Sequence, residues 1–338
     1  MFTQLKVLAA LFIISLTFAG CTGGGSGNPG APHVPSAPVG TTGTITEYQL
    51  TTKNSNPYDV TLGPDGNIWF VELISNNVAK ITPSGGVTEY NVPGPFLELL
   101  GITTGSDNRL WFSSSNTNHV GAITTSGGLT MYQVTGAGFM GQVSTGPDGN
   151  VWVGSSGLIA KITPGGTPTV YSFKSNNGDT LSVTGITKGP DGNVWFADAN
   201  GFIGKITPSG AHTEYAVPTA LSSPFGITTG PDGNLWFTED TASKIGKITT
   251  SGAITEYALK VPLSITSDAP QGITAGPDGN VWFVENGANR IGRITPSGTI
   301  TEWGIPTPQS GATSIVLGSD GYLWFDEFFG GQIAKISP

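Results

Sequence analysis

The chain has 338 residues, a net charge of −9 and charged side chains at only 11% of its positions. This charge balance argues against a nucleic-acid partner, because no basic surface is available to release counterions from phosphates. Gly and Pro number 51 and 24, a level that disordered chains also reach. Eight Trp, eight Tyr and 16 Phe nevertheless supply apolar surface for a core, so the composition predicts a folded chain rich in turns.

Residues 1–21 stand apart from the rest of the chain. Lys6 precedes an apolar run, Val7 to Phe18, that is too short for a membrane span and typical of a secretory signal. The segment Phe18-Ala19-Gly20-Cys21 resembles a bacterial lipobox with Phe in place of the usual Leu, which predicts a lipid on Cys21. The alternative is an ordinary signal peptide with an incidental cysteine. We expect an exported lipoprotein of the cell envelope that is anchored to the membrane through Cys21.

Residues 22–43 are rich in Gly, Pro, Ser and Thr and show no apolar periodicity. This composition predicts a flexible linker between the anchor and a domain that spans residues 44–338. Cys21 is the only cysteine, so we expect no internal disulfide in this domain.

An octapeptide repeat dominates the domain. Its copies begin 41 to 46 residues apart, and most read Gly-Pro-Asp-Gly-Asn, an aliphatic residue, Trp and Phe. The seven copies are Gly63–Phe70, Gly105–Phe112, Gly146–Val153, Gly189–Phe196, Gly230–Phe237, Gly276–Phe283 and Gly318–Phe325. This period suits four short strands with their turns, which is the size of a propeller blade. The sequence therefore predicts an all-β fold, a seven-bladed β-propeller with four-stranded blades.

Each repeat divides into four predicted strands, which we name A to D in chain order. In the fifth repeat they are the segments 226–229, 235–239, 244–249 and 254–257. Asp-Gly joins A to B and Ser-Gly joins C to D, and both are hairpin signals because Gly accepts the positive φ of such turns. The B strands are apolar on consecutive residues, which predicts that neighbouring blades bury both of their faces.

The two ends of the domain predict how the ring closes. The last repeat has an A segment at 314–317, a B strand at 322–327 and a C strand at 332–337, but the chain ends without a D strand. A spare D-type strand lies at about 45–50, before the first repeat. Pairing it with the last blade closes the ring and protects two strand edges.

The strand order assigns the loops to two faces of the propeller. The A–B and C–D turns share one face, the turn face, and are nearly uniform. The B–C loops and D–A connections share the other, the variable face, where the connections at 92–100, 172–184 and 258–271 differ in length and sequence. Binding sites usually lie on variable loops of a rigid scaffold, so we expect a ligand at the channel mouth on the variable face.

Strand B ends on the variable face with an acid in five blades, namely Glu72, Asp198, Glu239, Glu285 and Glu327. Tyr58, Phe225 and Gln271 begin A strands and are expected beside Glu72, Glu239 and Glu285. Carboxylates around a narrow mouth could bind a divalent cation or raise one another's pKa to that of a general base. The alternative is that each acid only bonds to backbone or to Ser and Thr groups at the end of its blade.

Each A–B turn also contains an aspartate, and the seven are Asp65, Asp107, Asp148, Asp191, Asp232, Asp278 and Asp320. An Asp before Gly ordinarily bonds to its own turn backbone, so we interpret them as structural residues rather than calcium ligands. His119 and His212 have no evident Ser or Cys partner, so nothing indicates a nucleophilic triad.

The blade pattern Pro-x-Gly-Ile-Thr-x-Gly-Pro-Asp-Gly-Asn, followed by Trp-Phe-x-Glu, resembles that of the virginiamycin B lyases, also called streptogramin lyases. The resemblance spans residues 44–338 and is closest at Pro224–Ile227 with Trp236–Glu239 and at Pro270–Ile273 with Trp282–Glu285. It implies an enzyme that opens a cyclic depsipeptide by elimination at its ester bond, with magnesium. It also implies a His base in a Pro-His-Gly-Ile motif, near the Glu that ends strand B.

This sequence departs from the family pattern at the base. No repeat contains Pro-His-Gly-Ile, and the matching positions hold Tyr58, Phe225 and Gln271. Phe and Gln cannot accept a proton near neutral pH. Glu239 and Glu285 match the family's carboxylate positions and could still hold a magnesium ion.

We therefore predict a monomeric, lipid-anchored propeller that binds a small molecule, glycan, peptide or partner protein at the channel mouth without the family's catalysis. The ligand-binding residues that we expect are Tyr58, Glu72, Asp198, Phe225, Glu239 and Glu327. One alternative is a magnesium-dependent carbon–oxygen lyase with Glu285 or Glu239 as base and Gln271 orienting a carbonyl. A second alternative is a lactonase, because propellers of the gluconolactonase type gather carboxylates around a metal in the channel.

Overall fold

The structure is a computed structural model that describes residues 43–94, 97–136, 140–260 and 267–338. These residues form 28 β-strands. Within them, no helix is long and apolar enough to cross a membrane. The predicted signal, Cys21 and nearly all of the predicted linker lie outside the described residues.

The strands follow one another along the chain in groups of four. The first strand is β1 (Ile45–Gln49). Blades 1 to 3 contain β2 (Pro57–Leu62), β3 (Ile68–Glu72), β4 (Asn77–Ile81), β5 (Val87–Asn91), β6 (Leu99–Thr104), β7 (Leu110–Ser114), β8 (His119–Ile123), β9 (Leu129–Gln133), β10 (Met140–Thr145), β11 (Val151–Ser155), β12 (Leu158–Ile162) and β13 (Pro168–Ser172). Blades 4 to 6 contain β14 (Val183–Lys188), β15 (Val194–Asp198), β16 (Phe202–Ile206), β17 (His212–Ala216), β18 (Pro224–Thr229), β19 (Leu235–Glu239), β20 (Lys244–Ile248), β21 (Ile254–Ala258), β22 (Pro270–Ala275), β23 (Val281–Glu285), β24 (Arg290–Ile294) and β25 (Ile300–Gly304). Blade 7 contains β26 (Ile315–Leu317), β27 (Leu323–Glu327) and β28 (Gln332–Ile336).

Seven antiparallel sheets of four strands make up the ring, which confirms the predicted seven-bladed propeller. Six sheets take their strands in chain order, and the seventh has the order β1-β28-β27-β26. Ile45 pairs with Ile336 and Gln49 with Gln332. The N-terminal strand therefore supplies the missing outer strand of blade 7, as the sequence predicts.

Burial is greatest in the B strands, which are buried along their whole length in all seven blades. Successive side chains alternate between the two layers that flank a blade. In blade 5, Phe237 packs with Trp195 of blade 4, whereas Trp236 packs with Phe283 of blade 6. The core is thus a ring of seven apolar layers between neighbouring blades.

The turn face repeats one local arrangement in every blade, which blade 5 illustrates. Gly233 has φ +75° in the A–B turn, a conformation that glycine adopts without strain. The Asp232 carboxylate accepts hydrogen bonds from the backbone N–H of Asn234 at 3.2 Å and from the indole N–H of Trp236 at 3.0 Å. Lys247 lies over the indole ring at 5.1 Å and donates to the Pro296 carbonyl of the next blade at 3.1 Å. The aspartate thus fixes its own turn and the nearby indole, which confirms the structural interpretation of the turn aspartates.

Candidate functional site

The innermost strands surround the axial channel and keep it narrow. A cavity of about 160 Å³ lies on the axis, and strands β2, β6, β10, β14, β18, β22 and β26 contribute most of its lining. A Cβ atom on Gly226 would lie 2.3 Å from the Gln271 carbonyl oxygen, and one on Gly185 would lie 2.4 Å from that of Phe225. Glycine at this position therefore lets adjacent blades approach closely around the axis.

Three blades carry a side chain where the others have this glycine. The residues are Asp59, Gln142 and Ser314, and all three line the channel. Asp59 accepts hydrogen bonds from the Val60 amide at 2.9 Å, the Ile102 amide at 2.9 Å and the Ser314 hydroxyl at 2.6 Å. Burial raises the pKa of Asp59 to about 6, although these hydrogen bonds oppose the shift. One carboxyl group thus joins blades 7, 1 and 2 at the axis.

A second buried acid, Asp326, lies behind Asp59. It accepts hydrogen bonds from the backbone amides of Thr313 at 3.1 Å and Ser314 at 2.6 Å. The Thr313 hydroxyl lies 2.7 Å from the Asp326 carboxyl and 2.5 Å from the Tyr58 carbonyl oxygen. A hydroxyl has one proton and here faces two acceptors, so a proton on Asp326 completes both hydrogen bonds. Burial raises the pKa of Asp326 well above its usual value, and the charge of Asp59 adds to the effect.

Tyr58, Phe225 and Gln271, which occupy the positions where the resemblance implies a histidine, have different environments. Tyr58 is buried, and its ring packs edge-on against Phe328 with centroids 6.0 Å apart. Burial, followed by the charges of Asp326, Asp59 and Asp240, raises the pKa of Tyr58, which keeps the phenol neutral. Phe225 lines the channel. Gln271 donates from its amide nitrogen to Asp240 of blade 5 at 3.4 Å.

The five acids that end the B strands are fully buried between neighbouring blades rather than arranged around the mouth. The sequence places them at the mouth, but strand B is the second strand from the axis and both of its faces are covered. Glu72 accepts hydrogen bonds from Ser75 at 2.6 Å and Asn77 at 2.8 Å. Asp198 is hydrogen-bonded to Ser175 and to the Ser182 amide. These two acids match the structural alternative that the sequence left open.

Glu239 and Glu285 lie in separate layers of the ring. Glu239 is on the blade 4 side of blade 5, where burial and the charge of Glu256 raise its pKa to about 7 and Lys244 opposes the shift. Glu285 is on the blade 5 side of blade 6. Burial, then the charges of Glu302 and Asp268, raise the pKa of Glu285 well above its usual value.

The two acids beside blade 6 have no hydrogen bonds to compensate their burial. Neither carboxyl oxygen of Glu285 or of Asp268 has a hydrogen-bond partner among the described residues. The nearby guanidinium group of Arg290 donates to Glu302 at 3.0 Å instead. Burial also raises the pKa of Asp268. Neutral, protonated carboxyl groups therefore fit this layer better than ionised ones.

Glu327 occupies the equivalent position in blade 7, against the closing strand. Burial raises its pKa to about 8, and the charge of Glu47 in β1 adds to the shift. Glu47 accepts a hydrogen bond from the Thr307 amide at 2.9 Å, which ties the closing strand to the connection that follows blade 6.

The donor set for the predicted magnesium ion consists of Glu239 and Glu285. Over the described ranges, no group of three or more His, Cys, Asp or Glu side chains is arranged to hold a metal ion. Because Glu239 and Glu285 face different layers, they do not fit a single shared ion. The magnesium site stays a prediction, and no reaction step is derived through it.

Sequence reasoning missed the axial acids. A comparison among the seven repeats contains the signal, because Asp59 stands where Gly101, Gly185, Gly226 and Gly272 stand in other blades. Asp240 was also missed, because it follows Glu239 in a B–C loop whose side-chain directions have no simple period.

The comparisons with known proteins agree with this architecture. The sequence pattern of the virginiamycin B lyase family matches residues 37–141 and 136–338. Similar solved structures include a streptogramin B lyase, virginiamycin B lyase from Staphylococcus aureus, and a catalytically inactive histidine-to-alanine variant of the latter with quinupristin. Each is 34% identical to this chain with a TM-score of 0.81, and the matches cover 87–88% of this chain and 97–99% of the other. No curated protein matches the chain.

The seven-bladed ring, its closing strand and the match along nearly the whole domain lead to one conclusion. The chain belongs to the virginiamycin B lyase family.

Proposed function

We propose that this protein is an exported binding propeller that holds a ligand at the channel mouth on its variable face and lacks the family's lyase reaction. The observation that carries the proposal is the replacement of the family's base by Tyr58, Phe225 and Gln271. Phe225 and Gln271 cannot accept a proton, and the buried phenol of Tyr58 is held neutral. The sequence places its most varied connections on the same face as these residues, which supports binding without that chemistry.

The first test is a magnesium titration of the purified protein, with metal content measured by elemental analysis. A ligand that binds only the folded state raises the melting temperature, and the gain grows with the logarithm of the ligand concentration once that exceeds Kd. We expect no bound metal and no magnesium-dependent shift in Tm. A magnesium-dependent shift that disappears in Glu239→Gln or Glu285→Gln would overturn the proposal in favour of an enzyme.

The alternative is a carbon–oxygen lyase that acts on an ester or cyclic depsipeptide, and the 34% identity to streptogramin B lyase favours it. In this alternative Glu285 or Glu239 takes a proton from a carbon atom of the substrate. The carbon–oxygen bond of the ester then breaks, which releases the carboxylate and leaves a carbon–carbon double bond. Gln271 would orient the carbonyl. A weaker alternative is a lactonase, which adds water to the ester bond. Mass spectrometry separates the two, because hydrolysis adds the mass of water and elimination does not.

We also propose that the chain is a cell-envelope lipoprotein with its lipid on Cys21, on the strength of the lipobox-like segment. The test is metabolic labelling with a fatty acid, followed by fractionation of cells that express the full-length chain. We expect labelled protein in the membrane fraction and loss of the label in Cys21→Ala. Unlabelled wild-type protein in the soluble fraction would contradict the proposal.

A further inference from the structure

One contact between neighbouring blades repeats along the turn face. In six blades a Lys or Arg donates to a backbone carbonyl in the C–D turn of the next blade, at 2.6 to 3.1 Å. The accepting residues are Pro83, Thr125, Pro164, Pro208, Thr250 and Pro296. The base of blade 6 is Arg293, and among the described residues it hydrogen-bonds only to Asp278 of its own blade, at 3.2 Å. The contact between blades 6 and 7 is therefore incomplete.

The C–D turn of blade 7 differs from the others because two separate segments form it. Strand β28 leads into this turn and β1 leads out of it. The Ser337 amide donates to the Thr44 carbonyl at 3.3 Å, as the Thr82 amide donates to the Gly86 carbonyl at 2.9 Å in blade 1. Both ends of the turn thus keep the usual hydrogen bond, and the register of blade 1 extends to blade 7.

Gly43 marks the place where the chain leaves this turn for β1. It corresponds to Gly85 in blade 1, and both have a positive φ, of +121° and +93°. A Cβ on Gly43 would lie 2.8 Å from the indole nitrogen of Trp303, as one on Gly85 would lie 2.6 Å from the Tyr48 ring. The residues just before Gly43 therefore correspond to the middle of the turn, where the other blades have the accepting carbonyl.

Trp303 lacks an acceptor at the same place as Arg293. Each blade has an aromatic residue in its outer strand that stacks on the B-strand tryptophan, and Trp303 stacks on Trp282 with centroids 5.1 Å apart. The other six are Tyr48, Tyr90, Tyr132, Tyr171, Tyr215 and Tyr257. In the turn of blade 2, the Thr125 carbonyl accepts from both Lys80 at 3.0 Å and the Tyr90 hydroxyl at 3.4 Å.

The indole N–H of Trp303 is buried and has no acceptor in the part of the chain that the structure describes. The whole residue is only 2% exposed. A buried donor without a partner is rare and costly, so an acceptor is expected beside this nitrogen.

We infer that residues 37–42 dock on the turn face between blades 6 and 7, where a backbone carbonyl of this segment accepts hydrogen bonds from Trp303 and Arg293. Chain continuity identifies the occupant, because the segment is joined to Gly43 and consecutive Cα atoms are only about 3.8 Å apart. Gly43 already lies against the indole nitrogen, so the carbonyl groups just before it are within reach. The docked segment completes the seventh C–D turn.

The extent of the family match supports this boundary. The family's sequence pattern begins to match at residue 37, whereas composition alone predicts a linker through residue 43. The inference goes beyond the proposed function, because it concerns how the domain joins the preceding chain. Strand β1 starts on the turn face, so the chain towards Cys21 leaves the domain on the face opposite the channel mouth.

Hydrogen–deuterium exchange of the purified full-length chain tests the docking, with peptides resolved by mass spectrometry. The probe is the backbone amides of residues 37–42, and residues 23–31 of the same chain are the internal reference. After correction for intrinsic rates, we expect exchange in 37–42 to be slower by about tenfold or more. Equal exchange in the two segments would overturn the inference.

Variants separate the contributions of the two donors. Trp303→Phe keeps a stacked ring and removes the N–H, so we expect exchange in 37–42 to become about fivefold faster and Tm to fall. Tyr257→Phe changes the same place in blade 5, beside a continuous turn, and as the matched control should leave this exchange unchanged. Arg293→Met removes the second donor and should speed exchange about threefold. Lys247→Met of blade 5 is its control.

Exchange in peptides from strand β19 reports whether each variant is folded, and the comparison within the wild-type chain decides even where a variant fails to fold. Protection of residues 37–42 that survives in Trp303→Phe would contradict the inference, because the indole N–H would then have no part in the docking. A higher Tm in Trp303→Phe would contradict it as well, since removal of an unpaired buried donor stabilises a fold.

Discussion

The two ends of strand β19 show how differently the two faces of the propeller use an acid. At the turn face, burial by itself raises the pKa of Asp232, but hydrogen bonds from Trp236 and Asn234 and the charge of Lys247 outweigh it and lower the pKa. At the variable face, burial dominates and raises the pKa of Glu239 to about 7. The turn acid is charged and paired, whereas the acid at the other end lies in a layer that favours its neutral form.

The same contrast recurs around the ring. All seven turn aspartates have lowered pKa values, each with a tryptophan indole as a hydrogen-bond donor. All five acids that end the B strands have raised pKa values, with burial as the largest cause. The carboxylates of the turn face are therefore ionised and paired, whereas the carboxyl groups that end the B strands favour their neutral form and ionise only at higher pH.

The largest expected effect comes from breaking a turn. Asp232→Ala removes the acceptor of the Trp236 indole and of the Asn234 amide, and an unpaired buried donor is costly. We expect the free energy of unfolding, measured by urea denaturation, to fall by about 2–3 kcal/mol. Asp232→Asn, which keeps one acceptor oxygen, is the matched control and should lose less. An equal loss in both variants would place the effect in the charge rather than in the hydrogen bonds.

The pH dependence of stability should reflect the variable-face acids. Asp59, Glu239 and Glu327 have folded pKa values of about 6, 7 and 8, above the usual values of 3.8 to 4.5 for unfolded carboxyl groups. The folded state therefore holds more protons than the unfolded state between pH 4 and 8, so stability is greatest at mildly acidic pH and falls as pH rises.

The turn aspartates act in the opposite sense. Their lowered pKa values mean that their contribution is present above about pH 4 and is lost below it. We expect the free energy of unfolding to peak at about pH 4–5 and to fall by about 1–2 kcal/mol by pH 9. Urea titrations across this range provide the measurement, and a maximum at pH 8 or above would contradict the assignment.

Glu239→Gln isolates one variable-face acid. The substitution replaces a group that is costly to ionise with a neutral one, so we expect about 1 kcal/mol of added stability at pH 8 and little change at pH 5. The measurement is Tm at both pH values. Destabilisation at pH 8 would show that the Glu239 carboxylate has a compensating partner, and a bound cation would then be a candidate for that partner.

The smallest effect is expected at Leu221, which has φ +58° and is 88% exposed. Asn54, three residues before strand β2, occupies the place that Leu221 takes before β18 and has φ +57°. Asn adopts this region more readily than Leu, so Leu221→Asn should stabilise the fold by about 0.5 kcal/mol. Urea denaturation provides the measurement. Leu221→Ala is the control, since it removes the apolar surface without favouring a positive φ, and an equal gain there would contradict the conformational argument.

The blade count and the ring closure follow from the sequence because both depend on local signals that repeat. The Gly-Pro-Asp-Gly-Asn turn marks each blade, and the spare strand at β1 balances the missing strand after β28. Side-chain directions at the axis could not be predicted in this way. Strand β2 has a register shift between Pro57 and Asp59, and β18 has one between Pro224 and Ile227.

Such a shift breaks the two-residue alternation on which sequence reasoning relies. The alternation therefore does not predict that Asp59 faces the axis. The acids that end the B strands are predicted at the mouth but are buried between blades, because both faces of strand B are covered. The binding roles proposed for Glu72, Asp198, Glu239 and Glu327 stay predictions. Their burial argues that the loops above them, rather than the carboxyl groups themselves, meet a ligand.

The most direct test of the central claim is an assay of the purified protein with quinupristin and magnesium, followed by liquid chromatography and mass spectrometry. The claim is that this chain keeps the family's fold and has lost its base. We predict that quinupristin, the compound with which the inactive histidine-to-alanine variant of the Staphylococcus aureus lyase was solved, is recovered unchanged. A ring-opened product of unchanged mass, formed by this protein and lost in Glu285→Gln, would contradict the account.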